Sequence, residues 1–178
     1  LDAVLDRALP DAIRDQLLRQ LPAFMTLFAD RLGPVRDKLT VFVSYDVSPQ
    51  QGGGRQGGVL PGQVTVHFYG AQWPQQMTEP GFADDLAWHF AHEAAHVYQR
   101  QLEAEEGGNA WIHEGGAEAF AALAMRTVAP EANASVDARI AEAPDACRRI
   151  LGTRSVRAAI EAHDFDASYA CGLVIALA

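Results

Sequence analysis

Residues 92–96 read His92-Glu93-Ala94-Ala95-His96. On an α-helix, residues four apart lie on one face about one turn from each other, so both imidazoles can reach a single cation. Glu93 falls beside them, near enough to act on a water held by that cation. Two nitrogen ligands and one carboxylate base at this spacing form the H-E-x-x-H zinc motif. The alternative is an amphipathic segment whose histidines face the core, since Ala94, Ala95, Val97 and Tyr98 all suit a buried helix. A catalytic zinc site needs a third protein ligand and an open position. The segment 111–120, WIHEGGAEAF, offers that ligand. Glu114 precedes Gly115-Gly116, where two helices can approach closely, and it is the expected third ligand. His113 competes for the role, but on a helix it faces about 100° away from Glu114. Glu118 shares the face of Glu114, either as a group that orients a histidine ligand or as a helix-surface carboxylate. His89 shares the face of His92 and His96. It reads as a supporting group, an alternate ligand or a packed residue at the helix start, and stays outside the expected ligand set.

The elements that must carry these residues follow from periodicity. A helix is predicted over about 84–102, ended by Glu105-Glu106-Gly107-Gly108-Asn109, and a second over about 110–128. Shorter helices follow at roughly 130–142, 144–151, 154–162 and 166–178. Before the motif, 10–32 shows helical spacing in Ile13, Leu17, Leu18, Leu21, Met25, Phe28 and Leu32, with Pro22 expected to kink or split the helix. Segments 39–45 and 63–69 read as strands, the latter from Val64, Val66 and Phe68 alternating with Thr65, His67 and Tyr69. His67, on the polar face, reads as a solvated residue. The Gly- and Pro-rich stretch 48–62 between these strands reads as a mobile loop, so the pair is expected to form a small antiparallel sheet. That stretch is no phosphate cradle, because it lacks G-x-x-x-x-G-K-[ST] and no helix follows it. Segment 70–81 reads as loop. The expected fold class is α+β, in one domain: 1–81 with a helix and a small sheet, 82–178 mainly helical.

Composition narrows the function classes. The 178 residues are 49% hydrophobic and 21% charged, an ordinary globular balance, with a net charge of -9. An acidic chain is a poor partner for nucleic acid, whose phosphates need a basic surface. No run of eighteen apolar residues occurs, so no membrane span is expected within this chain. The chain opens at Leu1 with no charged-then-apolar leader, which fits either a removed signal peptide or a cut chain. Cys147 and Cys171 lie too far from the histidines to suggest a Cys-rich zinc site. Either they are small buried thiols, or they bridge the last helices in an oxidising compartment, periplasmic or extracellular; the reading leans to the bridge.

His92-Glu93-x-x-His96 followed by Trp111-x-x-Glu114-Gly-x-Ala-Glu118 resembles the gluzincin metallopeptidases, in particular the aminopeptidase N and leukotriene hydrolase family. The resemblance implies a thermolysin-like zincin fold and makes His92, His96 and Glu114 the zinc ligands. Seventeen residues separate His96 from Glu114, one fewer than is usual in that family. Ser168-Tyr169-Ala170-Cys171-Gly172 resembles the family's Tyr-x-x-Gly segment, which assigns Tyr169 as donor to the oxyanion; a phenol is protonated near neutral pH and suits that role. The implied activity is hydrolysis of a peptide or protein substrate, with zinc acidifying a water and Glu93 acting as general base. The strand 63–69 is expected to pair with an extended substrate. One departure stands out. Exopeptidases of the family carry G-x-M-E-N on the strand before the zinc helix to hold the substrate's amine, and here that place reads Gly62-Gln63-Val64-Thr65-Val66, with Glu79 and Asp84 in no comparable context. This departure speaks against aminopeptidase specificity and favours a rival reading, a peptide-binding module that keeps the metal fold without efficient catalysis. A weaker rival, independent of it, is a purely helical structural domain without metal.

Overall fold

The computed structural model describes residues 1–47, 53–102 and 110–178, which form two compact units, Leu1–Gln101 and Leu102–Ala178. The fold class is α+β, as expected, with one small sheet and a helical remainder.

The first unit runs β1 (Asp2–Leu5), α1 (Asp11–Leu32), β2 (Thr40–Asp46), β3 (Gly53–Leu60), β4 (Gln63–Gly70), α2 (Trp73–Gln76) and α3 (Phe82–Leu102). Its four strands are ordered β1-β2-β4-β3. Val41 and Val43 on β2, with Val64, Val66 and Phe68 on β4, are buried, while Phe42, Ser44 and Thr65 between them are exposed. This period of two gives the sheet one apolar face. Ile13, Leu17, Leu21, Phe24 and Phe28 form the buried stripe of α1. Gln16 and Gln20 lie buried in that stripe too, and the Gln16 amide satisfies both the Gln20 carbonyl and the backbone oxygen of Ala83. Pro22 sits inside α1 without splitting it. A proline removes one helical hydrogen bond, and the buried residues on both sides of it keep the helix continuous.

Two expectations about the sheet are overturned. β2 and β4 pair in parallel, and so do β1 and β2. A 22-residue helix between β1 and β2 returns the chain to the same end of the sheet, and strands so connected run the same way. The second correction concerns 53–60, which is strand rather than mobile loop. It pairs antiparallel with β4, Leu60 opposite Gln63, across a turn at Pro61-Gly62 with Gly62 at φ +71°. Proline then glycine suits such a turn, because only glycine enters the left-handed region freely. The rest of that stretch, 48–52, lies outside the described residues. β4 is therefore flanked on both sides, and β3 is the edge, so pairing of a substrate with 63–69 is excluded. His67 is half-buried rather than solvated. Its Nδ1 is 2.7 Å from Ser44 Oγ, and its ring stacks on Tyr69.

The second unit contains α4 (Ala110–Val128), a 3-10 turn (Pro130–Ala132), α5 (Asn133–Leu151), α6 (Val156–Glu161) and α7 (Phe165–Leu177). α5 is one helix through Pro144, where a break was expected. Ala119, Ala143 and Leu173 bury against one another, joining α4, α5 and α7. Cys147 and Cys171 form a disulfide between α5 and α7, the bridged alternative of the two. Among the described residues no helix is long and apolar enough to cross a membrane. The segment 105–109, expected to end the motif helix, lies outside the described residues.

Candidate metal centre

α3 is an amphipathic helix with a broad apolar stripe: Leu86, Phe90, Ala91, Ala94, Val97 and Tyr98 are all buried. Asp84 and Asp85 in its first turn favour the positive end of the helix dipole. The Tyr98 hydroxyl donates to the backbone oxygen of Met25 at 2.8 Å, and its ring packs on Phe28. These contacts fix the rotation of α3 about its axis, and hence the direction of the neighbouring stripe of His89, His92, Glu93 and His96.

His92 and His96 behave as their spacing predicts. Their Nε2 atoms lie 2.9 Å apart, and the rings meet edge to face. Two nitrogens bound to one tetrahedral ion at about 2.0–2.1 Å stand roughly 3.3 Å apart, so small ring rotations separate this pair enough to share a cation. A third residue sets the proton of His96. Its Nδ1 is 2.8 Å from Gln99 Oε1, an oxygen that can only accept, so Nδ1 carries the hydrogen and Nε2 presents its lone pair. Sequence reasoning missed Gln99; its position three residues after His96 on the same helix face was the available signal.

Glu93 is buried, 4% exposed. Its carboxylate lies where a side chain on Gly57 would be, so the backbone of β3 passes directly against it. On the preceding turn, His89 Nδ1 is 3.7 Å from Glu93 Oε1. Burial holds the His89 imidazole well below its ordinary pKa, and the positive charges of Arg55, His92 and His96 add to that shift.

Glu114 and Glu118 lie one turn apart on α4, both half-buried, as is His113 between Ile112 and Glu114. Gly115, directly after Glu114, packs against Gly172 of α7. Tyr169 precedes Gly172 by one turn and is 38% exposed. The glycines of the two downstream motifs thus hold together the helices that carry Glu114 and Tyr169.

Among the described residues, one group of histidine, cysteine and acidic side chains could hold a metal ion: His92, His96 and Glu114. Two imidazole nitrogens and a carboxylate oxygen are a donor set suited to a first-row divalent metal. No protein-family model matches the chain, and no curated protein is significantly similar to it.

Proposed function

We propose that this protein is a zinc-dependent peptidase of gluzincin type, built on a thermolysin-like arrangement. His92, His96 and Glu114 hold the ion, and Glu118 accepts a hydrogen bond from a histidine ligand and so orients it. The observation that carries the reading is the convergence of His92 Nε2 and His96 Nε2 beside the buried Glu93 carboxylate. When bound, zinc supplies a Lewis acid that polarises a carbonyl and acidifies a water. Glu93 removes a proton from the attacking water and returns it to the leaving amine. The Tyr169 hydroxyl, partly open to solvent, donates to the developing oxyanion. An extended peptide pairs with the edge strand β3, whose Gly57 backbone borders Glu93. The Cys147–Cys171 bond favours an oxidising compartment, periplasmic or extracellular.

The test is Glu93→Gln on zinc-supplemented protein, scored against a peptide panel and by elemental analysis. Zinc content is expected to hold while cleavage falls by about 10²–10⁴-fold. Undiminished cleavage would refute the base. Zinc binding with peptide affinity and no turnover in the unmutated protein would move the reading to a peptide-binding module.

A further inference from the structure

The proposed chemistry leaves one buried histidine beside Glu93 unused. His89 and Glu93 are successive positions of one face of α3, their side chains 11% and 5% exposed, with Nδ1 and Oε1 at 3.7 Å. Hydrogen-bond donors stabilise a buried carboxylate, and an imidazole N–H at this place is aimed at Oε1. We propose that His89 is a positioning residue for Glu93: its Nδ1–H donates to the carboxylate and holds the side chain in its working rotamer. The inference rests on the reading of Glu93 as the base.

Three observations favour this over simple packing. The separation is a small side-chain rotation from a hydrogen bond, and such contacts commonly tighten only when substrate arrives. The imidazole is kept neutral by burial and by the cation of Arg55, so it carries one proton and acts as a neutral donor. A lysine or arginine there would pair with the carboxylate as a full charge and weaken it as a base. Finally, His89 Nε2 is buried with no hydrogen-bond partner among the described residues. With the proton on Nδ1, that nitrogen leaves a lone pair unmatched rather than an N–H.

The experiment compares His89→Leu, His89→Asn and His89→Gln with Glu93→Gln, reading kcat, KM and zinc content on the full chain. Asparagine sets an amide N–H near the place of Nδ1, whereas glutamine sets it near Nε2. His89→Leu should lower kcat roughly tenfold or more, with KM and zinc content unchanged. His89→Asn should recover most of that loss, and His89→Gln should not. If the leucine variant fails to fold, the asparagine and glutamine pair carries the comparison alone. Full kcat in His89→Leu or His89→Gln, with Glu93→Gln inactive, would overturn the role of His89 and leave the peptidase reading standing. An active Glu93→Gln would overturn both.

Discussion

Gly115 of α4 and Gly172 of α7 meet backbone to backbone. A Cβ on Gly172 would stand 2.6 Å from both Gly115 Cα and Trp111 O, closer than real side chains approach. Neither obstacle is a flexible side-chain end, so the two helices would have to move apart. Gly172→Ala is therefore expected to destabilise the protein by about 1–3 kcal/mol, read as a lower midpoint in denaturant. An unchanged midpoint would show that the helices part freely.

Gly57→Ala tests the other close approach. The added methyl would overlap the Glu93 carboxylate, which is the end of a flexible side chain and can swing away. Stability should change by less than about 1 kcal/mol, since alanine also relieves the entropic burden of glycine in a strand. Under the peptidase reading, cleavage falls while zinc content is kept. Equal loss of zinc and cleavage would instead point to disturbance of the histidines.

Gln99→Leu removes the acceptor that fixes the His96 tautomer. Groups in this position typically contribute 10–100-fold to metal affinity or activity. The variant should bind zinc about that much more weakly in a competition titration with a chelator, at unchanged far-UV circular dichroism. Unaltered affinity would mean that His96 orients itself.

Much of this arrangement was legible in the residues, for reasons that differ between elements. The bounds of α4 agree with its predicted 110–128, because strong helix formers surround Gly115 and Gly116 and outweigh them. Val64, Val66 and Phe68 declared their common face through alternation alone. β3 was hidden because four of its eight residues, Gly53, Gly54, Gly57 and Gly58, lack side chains, and only Val59 is a strand former by type. Gly57 is there because a helix carboxylate occupies its side-chain space, a tertiary demand with no local signature. β1 is only four residues long and mostly exposed, so it left no signal, and the unread β3 concealed that the chain reverses once more before β4, which makes β2 and β4 parallel. The histidine pair was readable from helix geometry, whereas the contact of Gly57 with Glu93 joins two separate elements and was not.

His89 also makes the metal-free protein sensitive to acid. Its pKa is depressed in the folded state, so it stays neutral where the unfolded chain begins to take up a proton. Stability from this group is complete above the unfolded value of about 6.5 and declines as pH falls from there toward the folded pKa. The slope reaches at most about 1.4 kcal/mol per pH unit. Melting curves between pH 7.5 and 5.5 should show a steeper decline for the unmutated protein than for His89→Leu. Parallel declines would assign the acid sensitivity elsewhere.

Breaking the Cys147–Cys171 bond tests how far the second unit depends on it. The cysteines are separated by 24 positions, for which the chain-entropy model gives about 3–4 kcal/mol of stabilisation. A Cys147→Ser, Cys171→Ser double variant should unfold at correspondingly lower denaturant. A midpoint unchanged by the double substitution would show that the apolar contacts among α4, α5 and α7 suffice.

That same bond encloses all of α6 in a covalent ring. A protease that severs the backbone after Arg154 would leave two pieces still tethered through sulfur, migrating as one species until a reductant is added. Damage at this turn would then be silent in size and visible only in function, and the helix bearing Tyr169 would remain leashed to its neighbour after the chain itself had been cut.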